Sequence, residues 1–150
     1  MPAMNGVAGS ARDGGAETVI EVGQSLAELG RCLEELQGFL ERHGVAARGR
    51  FQTELVFEEL VTNVVRYGYD GGGETVEVMV RIEPDDIVMV VSDEGRPFNP
   101  LERQDPEAPE SLADASIGGL GIMLVRKAAR HMAYERDGNR NRLTVVIPNE

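Results

Sequence analysis

Residues 58–68 read EELVTNVVRYG, and this stretch decides the architecture around it. Helix formers and apolar residues dominate it, Gly68 is placed to stop a helix, and the pattern extends back to Arg50. A helix is therefore predicted from about Arg50 to Tyr67. At about 100° per residue, Gln52, Glu59, Thr62, Asn63 and Arg66 fall within one polar arc. Phe57, Leu60, Val61, Val64 and Val65 cover much of the remainder. A helix apolar around most of its girth belongs in a core, yet this one carries an acid, Glu59, and an amide, Asn63, one turn apart. Pattern alone leaves two readings open: a stripe that meets solvent, or a ligand face. Glu58 points about 100° away from Glu59 and need not share its role.

Two further stretches bear on that choice. In DEGRPF (residues 93–98), Asp93 ends an apolar run and Gly95 follows two residues later. A carboxylate at a strand end can accept a hydrogen bond from an exocyclic amine such as that of adenine, and a glycine beside it lets a flat ring approach the backbone. An Asp-Glu-Gly turn with no ligand has the same sequence. In GGLG (residues 118–121), glycines open the apolar run IMLVRKAAR, and unpaired N–H groups at such a helix start bind anions. An amide oxygen near a carboxylate suits Mg2+, which takes oxygen ligands and keeps several waters. A carboxylate that does not ligate the metal can serve as a general base toward a hydroxyl. Neither GxGxxG after a strand nor GxxxxGK[ST] is present, so the Rossmann and P-loop readings are unsupported.

Outward from these stretches, TVIEV from Thr18 has strand length and β-branched content. Ser25 with Glu28 has capping-box spacing, and Leu26, Leu29, Leu33, Leu36, Phe39 and Leu40 form a helical stripe ending near His43-Gly44. After the helix that carries Glu59, Asp70–Gly73 is a turn. TVEVMVRI from Thr75 and IVMVVSD from Ile87 form a hairpin about Pro84-Asp85-Asp86. Residues 96–117 read as a long loop, and helix returns from Leu120 to about Arg130. MAYER from Met132 and RLTVVIP from Arg142 close the chain around DGNRN. The order β-α-α-β-β-loop-α-β-β predicts an α+β fold: a two-layer α/β sandwich with a mostly antiparallel sheet and three helices on one face. Residues 1–16 read as a disordered tail and 17–150 as one domain.

The 150 residues are 41% hydrophobic and 27% charged, as in an ordinary globular domain. A net charge of -11 argues against nucleic acid and against anionic membranes, both of which are bound by clustered Lys and Arg. Cys32, the sole cysteine, sits in the helical pattern LGRCLEEL as a small core residue, so no disulfide or cysteine-based metal site is expected. No apolar run approaches membrane-spanning length, and the first residues lack the layout of a secretory signal; a cytoplasmic location is expected.

Together the three stretches resemble a known family. EELVTNVVRYGY resembles the N box, DEGRPF the first glycine box and IGGLGIML the second glycine box of the GHKL (histidine-kinase-like) ATPases, the gyrase, Hsp90, histidine kinase and MutL type. Within them, residues 17–148 are most similar to the anti-sigma-factor serine kinases of bacterial partner-switching systems. The resemblance implies the Bergerat fold, with an ATP pocket between helices and sheet closed by a long lid. By position, Glu59 would be the catalytic base and Asn63 the Mg2+ ligand. Asp93 would hold the adenine amine, with Gly95 at the adenine-side turn and Phe98 beside them, while Gly119, Leu120 and Gly121 would cradle phosphates. Relatives end in a Gly-Thr pair at the adenine site; here the stretch is DGNRNRLTVV, with Asn141 as the substitute. The implied cofactors are ATP and Mg2+. The implied partners are an anti-sigma-factor antagonist, phosphorylated on serine, and a sigma factor or other regulator that the protein inhibits. Family members commonly dimerise, so a homodimer is among the expected states.

The lid, residues 101–117, holds Arg103 against Glu102, Asp105, Glu107, Glu110 and Asp114. A mobile lid that places no side chain on the γ-phosphate is expected, with phosphate contacts from backbone N–H groups near Gly119 and Gly121. The acidic lid also keeps a second function in view: a non-catalytic ATP-binding switch that sequesters a partner. Self-phosphorylation on histidine is not expected, because His43 is followed by Gly44 rather than an acid.

Overall fold

A computed structural model describes residues 15–23, 26–64, 75–102 and 119–150. Most of the predicted tail, the Ser25 cap, the helix end at Tyr67-Gly68, the turn at Asp70–Gly73 and the lid beyond Glu102 lie outside them. The elements are β1 (Ala16–Val22), α1 (Leu26–Arg42), α2 (Ala47–Asn63), β2 (Val76–Ile82), β3 (Asp86–Asp93), a 3₁₀ turn (Pro100–Glu102), α3 (Gly119–Ala128), β4 (His131–Asp137) and β5 (Arg140–Pro148). The predicted order holds, and β1 opens at Ala16, just inside the stretch read as tail.

The strands form one antiparallel sheet in the order β1-β2-β3-β5-β4. Alternation decides which face is buried. Val76, Val78, Val80 and Ile82 of β2 point inward, as do Ile87, Met89 and Val91 of β3 and Leu143, Val145 and Ile147 of β5. The opposite face carries Glu77, Met79 and Arg81 of β2, which are only half-buried. The helices cover the inner face: α1 packs on β1, and α2 packs on α1, α3 and the central strands β3 and β5. The core joins Leu36, Phe39 and Leu40 of α1 to Phe57, Leu60 and Val61 of α2 and Ile122 and Val125 of α3.

Local chemistry sets the ends of the elements. Gly44 adopts φ +75°, its N–H bonds to the Glu41 carbonyl, and the Val45 N–H reaches back to Leu40. This is a Schellman ending, which glycine allows at little cost. The β4–β5 turn has Gly138 at φ +62°, where a type II′ hairpin turn needs glycine. The start of α2 departs from expectation, at Ala47 rather than Arg50. Ala46 offers no side-chain cap, which hid the true start; instead the Arg50 Nη1 donates to the Val45 carbonyl at 2.8 Å.

Candidate functional site

Among the described residues, the buried polar side chains are Thr53, Asn63, Ser92, Asp93 and Asn141. Asn63, Asp93 and Asn141 gather where α2 finishes, β3 ends, β5 begins and α3 starts. Thr53 is accounted for, since its hydroxyl donates to the Gly49 carbonyl at 2.7 Å within its own helix.

Asn63 is not accounted for in that way. It is 3% exposed, and its Nδ2 has no hydrogen-bond partner among the described residues. Leaving a buried donor unsatisfied costs about 1–3 kcal/mol, a cost that an incoming acceptor would relieve. Glu59, one turn earlier and half-buried, lies with its carboxylate against Gly121 in the first turn of α3. A Cβ at Gly121 would overlap the Glu59 carboxylate oxygen, so a side chain there would require the Glu59 carboxylate to move. The stripe of α2 thus meets the start of α3 instead of open solvent.

Asp93 is 4% exposed at the end of β3, and the register sets it opposite Asn141 at the start of β5. Its Oδ1 accepts two hydrogen bonds, from the Gly95 N–H at 2.8 Å and from the Asn141 Nδ2 at 3.1 Å. The Asn141 Nδ2 also donates to the Arg96 carbonyl at 2.8 Å, and its Oδ1 accepts from the Phe98 N–H at 3.2 Å and from the Tyr134 hydroxyl. Arg136 of β4 adds a bond from Nη1 to the Gly95 carbonyl at 2.8 Å. The loop that follows Asp93 is therefore sewn to β4 and β5.

Beside this network is a pocket of about 10 Å³, walled by Leu60 and Val64 from α2, Val91 and Leu143 from the sheet, and Phe98 from the loop. Asp93, Asn141 and Tyr134 are its polar members. Space of about 10 Å³ suits roughly one water. Gly119 opens α3, and the main chain of Leu120 lies in its first turn. Arg126, in the last turn, donates from Nη2 to the Leu101 carbonyl at 2.8 Å and ties the 3₁₀ turn to α3.

Sequence reading thus located Glu59, Asn63, Asp93, Gly95, Phe98, Gly121 and Asn141 about the ends of these four elements. It missed Tyr134 and Arg136. Their signal is alternation in MAYER, which places Tyr134 on the inner face of β4. The apolar pocket walls belong to core stripes and carry no separate signal.

No cluster of three or more His, Cys, Asp or Glu able to hold a metal occurs among the described residues. Mg2+ typically binds through one or two protein oxygens plus substrate phosphates. The Asn63 amide oxygen would suit that mode as the protein ligand, while its unpartnered Nδ2, a donor, would suit a phosphate or water oxygen beside the metal. Cys32 takes no part: it is buried, its thiol donates to the Glu21 carbonyl at 3.4 Å, and burial raises its pKa.

An antiparallel sheet covered on one face by three helices, with an acid-and-amide helix against a glycine-opened one, defines a class of nucleotide-binding sandwich. Residues 22–147 match the model of the histidine kinase-like ATPase domain, and the chain belongs to that family. Membership implies ATP binding. The chain is 28% identical over 102 residues to the serine/threonine-protein kinase BtrW of Bordetella bronchiseptica, covering 67% of this chain and 72% of BtrW. The fold is similar to the histidine kinase domain of a blue-light activated histidine kinase from Erythrobacter litoralis, with a TM-score of 0.50 and 17% identity. That match covers 82% of this chain and 60% of the other. Among the described residues no helix is long and apolar enough to cross a membrane.

Proposed function

We propose that the protein is an ATP-dependent serine/threonine kinase that phosphorylates an anti-sigma-factor antagonist and so controls a sigma factor or similar regulator. One observation carries the reading: Glu59 and Asn63 lie one turn apart, with the Glu59 carboxylate at the start of α3 and the buried Asn63 Nδ2 without a partner among the described residues. The likeness to BtrW, a serine/threonine-protein kinase, supports the reaction class. The partner class follows from the resemblance of the three boxes to partner-switching kinases.

In this reading Asp93 accepts the adenine amine and the N–H groups at the start of α3 meet the phosphates. Asn63 would hold Mg2+ through its amide oxygen, and the ion would neutralise phosphate charge. Glu59 accepts the serine hydroxyl proton as the serine oxygen bonds to the γ-phosphorus and the bond to the β–γ bridging oxygen breaks, releasing ADP. Positioning and charge stabilisation supply most of the acceleration in such a transfer.

The test is incubation with labelled ATP and the antagonist-like proteins of the same genome. Label on one serine or threonine of one of them, lost with Glu59→Gln while ATP affinity persists, supports the kinase. Partner binding with no transfer by the parent protein points instead to the non-catalytic switch.

A further inference from the structure

Asn141 has no hydrogen-bonding capacity left for a ligand. An amide offers two donor hydrogens and two acceptor lone pairs, and all four are engaged within the protein. Nδ2 serves Asp93 and the Arg96 carbonyl, while Oδ1 serves the Phe98 N–H and the Tyr134 hydroxyl. The amide orientation follows from its partners: turned over, the NH₂ would face the Phe98 N–H and the oxygen would face the Arg96 carbonyl and Asp93. The side chain is 4% exposed, so water does not compete for these bonds.

The effect falls on Asp93. Both of its described bonds land on Oδ1, one from the loop and one from Asn141. A carboxylate held at one oxygen by two donors cannot rotate freely, and Oδ2 is left as an acceptor in a fixed direction. Tyr134 in turn fixes Asn141 from β4, and Arg136 of the same strand holds the Gly95 carbonyl.

We propose that Asn141 and Tyr134 are positioning residues for base selectivity: they lock Asp93 so that the pocket accepts a 6-amino purine and rejects a 6-oxo purine. The proposal rests on the nucleotide reading of the pocket. Adenine presents its exocyclic amine to Oδ2. Hypoxanthine presents an oxygen there, with its nearest donor, the N1–H, displaced to one side. A free carboxylate would swing to meet that N1–H; a locked one cannot. Selectivity thus comes from rigidity imposed by β4 and β5, distant in sequence from Asp93.

The experiment compares ATP and inosine triphosphate binding to the parent protein, Asn141→Ala and Tyr134→Phe, with amide hydrogen exchange at Gly95 and Phe98 measured by NMR. The parent should prefer ATP by about 100-fold or more, as sites built around a substrate hydrogen bond do. Asn141→Ala should erode that preference at least about tenfold, the worth of a charge-assisted hydrogen bond. Exchange at Gly95 and Phe98 should quicken. Tyr134→Phe, which keeps the ring in the pocket wall, should lower the preference about two- to tenfold. A purely structural role would lower both affinities together and leave their ratio unchanged, and that result overturns the proposal. A parent that binds both nucleotides equally overturns it too. A parent that binds neither refutes the nucleotide reading; unchanged exchange at Gly95 in Asn141→Ala would then separately refute the lock.

Discussion

Helices α1 and α2 are the same length, seventeen residues, and lie side by side in one layer, yet they use their polar residues in opposite ways. In α1 the charges face out. Arg31 pairs with Glu28 at 2.7 Å and lies 4.0 Å from Glu35, all well exposed, while Cys32, Leu36, Phe39 and Leu40 are buried. In α2 the buried set includes two polar side chains. Thr53 is satisfied within the helix, whereas Asn63 keeps an unpartnered donor among the described residues. The first helix is scaffold and can be read from periodicity. The second is enclosed on several sides, by α1, α3 and the sheet, so a polar residue retained there has a task other than solvation.

The comparison breaks most visibly in the core. Phe57 of α2 and Leu36 of α1 are both fully buried. Truncation to alanine should cost about 3–5 kcal/mol for Phe57 and about 2–5 kcal/mol for Leu36 by chemical denaturation. The folded fraction of Leu36→Ala should bind nucleotide as the parent does. A binding loss in that variant, beyond its unfolded fraction, would mean that α1 does more than support.

At the junction of α2 with α3, Gly121→Ala should change stability by no more than about 1 kcal/mol, because the new Cβ meets the far end of the flexible Glu59 side chain, which moves aside, and alanine favours the helix. The effect of Glu59→Ala should nonetheless differ between the parent and Gly121→Ala, a non-additivity expected only of residues in contact. Strict additivity in denaturation midpoints would place the two apart.

The scaffold side predicts the smallest effect. Hydrogen bonding and charge from Arg31 hold the Glu28 carboxyl below its usual pKa. A depressed carboxylate pKa contributes stability above the unfolded value that is lost as pH falls through the folded one. Both side chains are exposed, so solvent screens the pair. Melting temperatures of Glu28→Gln and the parent should coincide at neutral pH; a clear drop would give α1's surface a role beyond solvation.

How much was legible follows from where the information lies. Strict alternation marked β2, whose residues are buried and half-buried in turn, and the glycine-opened run marked α3. Glu59, Asn63, Asp93 and Gly121 stood out because their types clash with apolar surroundings. Asn141 could be placed near the site but not understood, because its partners lie as many as 48 residues away and depend on the β3–β5 register. Alternation puts Tyr134 and Arg136 on the half-buried face of β4, but their bonds form across strands, so that alternation does not name their partners. The start of α2 was blurred because Arg50 and the Val45 carbonyl replace a side-chain cap.

The central claim is that the buried Asn63 amide, whose Nδ2 has no partner among the described residues, serves Mg2+-nucleotide and not the fold. The direct measurement is calorimetric titration of ATP, with and without Mg2+, into the parent protein and Asn63→Ala, with their melting temperatures recorded alongside. Removing an unsatisfied buried group spares its desolvation cost, so Asn63→Ala should fold with stability within about 1 kcal/mol of the parent. Mg2+ should strengthen ATP binding by the parent, and that gain should vanish in the variant. An equal gain from Mg2+ in both proteins, or no ATP binding by the parent, would contradict the account.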